Sequence, residues 1–137
     1  MLKRTLLLSL LAITVPLTAH AFTISGSFLT EAPTYRSNPS NNGGLVGVAV
    51  SDGTALTAGS AAWSKLNAGC EATILIGDET THTVLGSMQV AGSANGEIAT
   101  PNADIRLSSV IPPAGDIIEA FANTAGCTKG TIAFSAQ

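Results

Sequence analysis

The chain has 137 residues, of which 45% are hydrophobic and only 11% charged, and its formal net charge is −3. Six cations spread over that length form no basic stripe for a phosphate backbone, so nucleic acid is not an expected partner. With two histidines and two cysteines, there are too few ligands for a metal site once the cysteines are otherwise engaged, and no cofactor is expected.

Lys3 and Arg4 precede the apolar run from Leu6 to Val15, Pro16 interrupts it, and Ala19-His20-Ala21 follows as a small-x-small site. That order of charge, short apolar run and small residues reads as a secretory signal peptide over residues 1–21, cut after Ala21. The competing reading is a membrane anchor, but the run is about half of the ~20 residues that a bilayer span needs, and no second run follows. The expected mature chain, 22–137, has 116 residues, enough for one domain with a real core. Loss of Lys3 and Arg4 takes its net charge to −5. The expected location is the periplasm, the cell surface or the medium, with no membrane span after cleavage.

Phe22-Thr23-Ile24-Ser25-Gly26-Ser27-Phe28 alternates strictly, placing Phe22, Ile24, Gly26 and Phe28 on one face of a strand. Gly26 within that row leaves room for another backbone to come close. The polar, proline-bearing stretch from Pro33 to Gly44 reads as a loop, and Leu45–Val50 as a buried strand stopped by Ser51-Asp52-Gly53. Ser60 as a cap, Trp63 and Leu66 three apart, and Gly69 past the end predict one short helix over residues 61–68. Strands are then expected at Glu71–Ile76, Thr83–Ala91, Ile105–Ile111, Ile117–Asn123 and Gly130–Ser135, each bounded by Gly, Pro or Asp. The fold expected from about seven such strands is all-β: an antiparallel β-sandwich of immunoglobulin-like or jelly-roll type.

Cys70 and Cys127 make one pair with no thiol left over, which in an exported chain reads as a disulfide. Both follow an Ala-Gly dipeptide, Ala68-Gly69 and Ala125-Gly126, and each is expected at the mouth of a strand. A bridge needs Cα atoms within ~7 Å, so the two strand mouths should meet at one end of the fold. Coincidence in a Gly/Ala-rich chain is the plain alternative.

No catalytic set is expected. His82 is the sole histidine beyond the signal segment, sits in a polar connection, and has no Gly-x-Ser-x-Gly elbow to serve. Asp78 and Glu79 are adjacent turn acids, while Asp116 and Glu119 should point to opposite faces of a strand. Glycosidase chemistry needs two convergent carboxylates and a sugar platform, for which one Trp and one Tyr are thin provision.

Taken together, the leader, the single Cys70–Cys127 pair, the Thr/Ser/Ala/Gly-rich strands and the alternating Phe22–Phe28 segment resemble subunits of bacterial chaperone–usher pili. In that family the leading strand is donated to the next subunit, whose sheet lacks one. The resemblance implies a fimbria-like structural or adhesive role, with protein partners or self-assembly through residues 22–30. Two features differ from the family pattern: Cys70 lies far into the chain, and the chain ends Ser135-Ala136-Gln137 where the family carries an aromatic. A monomeric secreted or periplasmic module binding a small apolar ligand or a protein is the alternative, motivated by high apolar content and few charges. If residues 22–28 instead form the first strand of their own domain, the alternation needs no partner.

Overall fold

A computed structural model describes residues 22–31, 44–91 and 104–137. The expected signal segment, nearly all of the expected loop at 33–44 and the expected turn after Ala91 lie outside these residues. The described residues form eight strands: β1 (Ile24–Leu29), β2 (Gly44–Val50), β3 (Gly59–Ser64), β4 (Glu71–Asp78), β5 (Thr83–Ala91), β6 (Asp104–Leu107), β7 (Ile117–Ala125) and β8 (Thr131–Ala136). All pairings are antiparallel, in two sheets ordered β1-β8-β3 and β2-β7-β4-β5-β6.

Alternation in the sequence builds the core. Along β4 the buried residues are Ala72, Ile74, Ile76 and Asp78; along β7 they are Ile118, Ala120 and Ala122; along β8, Ile132, Phe134 and Ala136. Period-two burial places each of these sets on one face of its strand. Residues of both sheets join one apolar cluster that includes Trp63, with Ile24, Ile74, Ile76, Leu85, Met88, Ile118 and Ile132 at or near zero exposure.

Large and small side chains alternate where the sheets meet. In the three-stranded sheet, Phe134 lies opposite Gly26 on one side and Ala61 on the other. A methyl group built on Gly26 would reach within 3.0 Å of the Phe134 ring, and one on Gly47 of β2 would reach within 3.1 Å of it. Two absent side chains thus make room for one ring. The same absence lets β1 close on β2, because that methyl on Gly26 would collide with the Val46 carbonyl oxygen. Val46 is the extra residue where the β2–β7 register shifts between Leu45 and Gly47.

The helix expected over residues 61–68 does not form; the described residues contain no helix. Residues 59–64 are β3, with Ala61 and Trp63 buried and Ser60 and Ala62 exposed. Both faces could claim Trp63, and pairing with β8 decides the matter: Ala61, Ala62 and Trp63 match Phe134, Ala133 and Ile132 in register. Lys65 then takes a left-handed φ of 57°, which ends the strand and folds Leu66 into the core. The glycine expected as a helix cap, Gly69, does have a positive φ of 81°, but in the turn that leads to Cys70. β6 is also shorter than the expected Ile105–Ile111. It stops at Leu107, after which Ser108 turns its N–H and its hydroxyl onto the Leu85 carbonyl, at 2.8 and 3.0 Å.

Candidate contact surface

The segment expected to mediate assembly pairs within its own chain here. Ile24, Gly26 and Phe28 of β1 oppose Ala136, Phe134 and Ile132 of β8, and Phe22 and Ile24 are buried. Among the described residues β1 is an edge strand, with β8 as its ladder partner. Its C-terminal end is pinned by buried Thr30, whose N–H donates to the Gly130 carbonyl at 3.0 Å and whose hydroxyl donates to the Lys129 carbonyl at 2.9 Å.

Cys70 and Cys127 are joined in a disulfide with their Cα atoms 4.3 Å apart. The bridge lies where β4 begins and β7 ends, next to the Glu71–Ala125 pair. Cys127 therefore leaves β7 instead of opening β8, because β7 runs two residues past the expected Asn123. The Ala-Gly echo has a physical basis at this end. Gly69 and Gly126 both have positive φ, and a methyl on Gly126 would lie 2.5 Å from the Gly69 carbonyl oxygen. Asn67 holds the two turns together, donating to the Gly126 carbonyl at 2.8 Å and accepting from the Thr128 N–H at 2.9 Å.

At the opposite end of β4 the pairing brings together two carboxyls that are far apart in sequence. Asp78 matches Ile118, so the inward side chains of Asp78 and Asp116 meet. Asp78 is buried, and its Oδ1 accepts the N–H groups of Thr80 and Thr81 at 2.9 and 3.2 Å, closing the turn to β5. The Oδ2 atoms of both residues are buried and meet no hydrogen-bond donor among the described residues. Two carboxyls so placed disfavour each other's ionisation, which favours one proton held between them. Burial pushes Asp78 up, yet hydrogen bonds from Asp116, Thr81 and Thr80 outweigh it and hold Asp78 below the ordinary aspartate value. Asp116 is raised by its hydrogen bond to Asp78, by burial and by the Asp78 charge.

This pair lies under the end of a broad outer face. On the five-stranded sheet, register lines up outward side chains in rows. Leu45, Phe121 and Leu75 form one row; Val48, Glu119, Gly77 and Val84 the next; Val50 and Ile117 begin a third, with Glu79 just beyond β4. Val48, Val50 and Val84 are each more than half exposed, and Ile117 and Leu45 are exposed as well. Gly77 contributes no side chain, and a methyl there would meet only the Thr83 carbonyl oxygen, at an ordinary 3.5 Å. The gap is a hollow of about 210 Å³ walled by Leu75, Phe121 and Val84, with Glu79 and His82 at its rim. His82 is exposed in the β4–β5 turn with φ 56°.

Sequence reasoning did not anticipate this face or the carboxyl pair. A signal for the face exists in retrospect: Leu45, Val48 and Val50 straddle the register shift in β2, so strict alternation breaks and apolar residues fall outward. Among the described residues no three of His, Cys, Asp and Glu gather to hold a metal ion, and no helix is long and apolar enough to cross a membrane. Comparisons of the chain with protein-family models, with curated proteins and with solved structures return no match.

Proposed function

We propose that the chain is an exported, non-enzymatic structural or adhesive subunit of the bacterial surface that acts through contact area. The observation carrying this reading is the outer face of the five-stranded sheet, where Leu45, Val48, Val50, Val84 and Ile117 are exposed side by side. Contiguous apolar patches rimmed by polar groups mark interaction sites on soluble proteins. The Cys70–Cys127 bridge supports export, since such bonds persist in oxidising compartments. Two antiparallel sheets around one core fit a sandwich of immunoglobulin-like or jelly-roll type. Native material is expected to begin at Phe22, to carry the bridge, and to sit at the cell surface or in the periplasm in assemblies heavier than one chain. A reduced monomer retained in the cytoplasm overturns the reading.

Strand donation by residues 22–30 is a narrower form of the same proposal. It is favoured by the position of β1, which among the described residues lies at a sheet edge and pairs with β8. A chain lacking residues 22–30 should then recover its fold when a peptide of residues 22–30 is supplied. Failure of the peptide to restore the folded form removes strand donation and leaves the outer-face reading in place. The alternative, a pocket for a small apolar ligand, fits less well, because about 210 Å³ at Gly77 falls below the ~300–1,000 Å³ of such pockets.

A further inference from the structure

Resting on the contact-surface reading, we infer that the hollow at Gly77 receives a lysine or arginine side chain from a protein partner whose flanking residues are aliphatic. The size of the hollow suits one long side chain, not a free ligand. Its walls, Leu75, Phe121 and Val84, are apolar and match the methylene stem of such a residue. Its charge is one-sided. Glu79 lines the hollow, and Glu119 stands directly across from Gly77 on β7 in the same outward row. Among the described residues, His82 stands at the rim, and the Lys or Arg side chain on this face is Arg106 of β6, which pairs with Ser87 of β5, lies two strands from Gly77, and is engaged in contacts of its own. Carboxylates set among exposed valines are complementary to a cation carried on an apolar segment. A second copy of this chain, itself net negative, brings the wrong sign.

The identity of the occupant follows from the neighbours of the hollow. Val48 and Val84 flank Glu119 and Gly77 in one row, and Ile117 and Val50 lie in the next. An extended segment with a cation pointing down into the gap would rest its own aliphatic side chains on these residues. Such a contact is made of apolar area plus one rim charge pair, so it gains selectivity from charge more than strength.

The test is an NMR titration of the oxidised mature chain with three blocked tripeptides: Val-Lys-Val, Val-Gln-Val and Val-Glu-Val. Val-Lys-Val should shift the amide signals of Gly77, Val84 and Glu119 and bind more tightly than Val-Gln-Val by up to about five-fold, the upper end for one exposed ion pair. Glu119→Gln combined with Glu79→Gln should erase that preference while leaving the binding of Val-Gln-Val unchanged. Gly77→Leu, whose side chain points away from the core, should fill the hollow and abolish all three interactions without loss of fold. Equal binding of the lysine and glutamine peptides, an unaltered preference in the double glutamine variant, or self-association through this face would overturn the inference. The two readings can fail separately. Cationic selectivity in a protein that proves to be cytoplasmic refutes export alone, and an exported assembly without it refutes this inference alone.

Discussion

Replacing Gly26 with alanine adds one methyl group at the point where β1 closes on β2. That methyl would overlap the Val46 carbonyl oxygen and lie 3.0 Å from the Phe134 ring. The ring is flanked on β2 by Gly47, where a methyl would also come within 3.1 Å of it. The main obstacle is backbone, and β2 must move bodily or β1 must lift from β8. Overpacking of this kind costs about 1–3 kcal/mol, and a backbone obstacle puts Gly26→Ala at the upper end, near ~3 kcal/mol. In a domain of this size each kcal/mol moves the melting temperature by roughly 3–5 °C, so a fall of about 10–15 °C is expected. Thermal unfolding of the oxidised chain of residues 22–137 followed by circular dichroism measures it. Gly77→Ala is the control: it changes the same residue type in a strand, its methyl makes an ordinary van der Waals contact with the Thr83 carbonyl oxygen at 3.5 Å, and its midpoint should hold or rise slightly. A Gly26→Ala midpoint within 2 °C of the parent, on the scale of about 3 °C per kcal/mol, would refute the close β1–β2 packing.

Removing the disulfide with Cys70→Ala and Cys127→Ala together releases a 57-residue loop, worth about 4 kcal/mol by chain entropy, and urea denaturation should show it as a lower midpoint. An unchanged midpoint would mean that the bridge constrains nothing in the unfolded chain. Thr30→Val keeps the shape of a buried side chain but removes its hydroxyl bond to the Lys129 carbonyl, and should cost about 1 kcal/mol in the same assay. The carboxyl pair predicts a pH dependence of definite sign. Asp116, raised when folded, contributes stability at acid pH that is lost as pH climbs from 3.8 through its folded value. Asp78, lowered when folded, contributes above 3.8 and loses its part as pH falls through its folded value. Asp116→Asn supplies a permanent N–H donor in place of the shared proton. The variant should therefore gain on the parent as pH rises from 4 to 7, read as urea midpoints across that range. Parallel profiles would show that the two carboxyls do not share a proton.

Much of the strand layout was legible in the residues themselves. Ile24, Gly26 and Phe28 alternate with serines, and the apolar set faces inward, because a strand has only two faces and water excludes one set from the other. Thr83–Ala91 matched to the residue, since turn formers bound it at both ends. The pairing of two cysteines was readable by counting, because an odd thiol was absent. The role of Trp63 was not readable. Trp63 and Leu66 satisfy a helical spacing as well as a strand followed by a turn, and local sequence carries no preference strong enough to choose. The β8 ladder chose.

What the sequence by itself determined is the β class, the bridge and the inward face of most strands, all of which follow from local alternation and composition. What only the tertiary structure decided is who meets whom. Asp78 and Asp116 are ordinary turn acids until β4 and β7 lie antiparallel, and then two carboxyl groups occupy one buried space. Val48, Glu119, Gly77 and Val84 come from four different strands, and only their register makes a row with a gap in it. The physical reason is the same in both cases. A strand's own pattern sets which way a side chain points, but its neighbours across the sheet are set by pairing between distant segments, where one residue of slip reverses every contact.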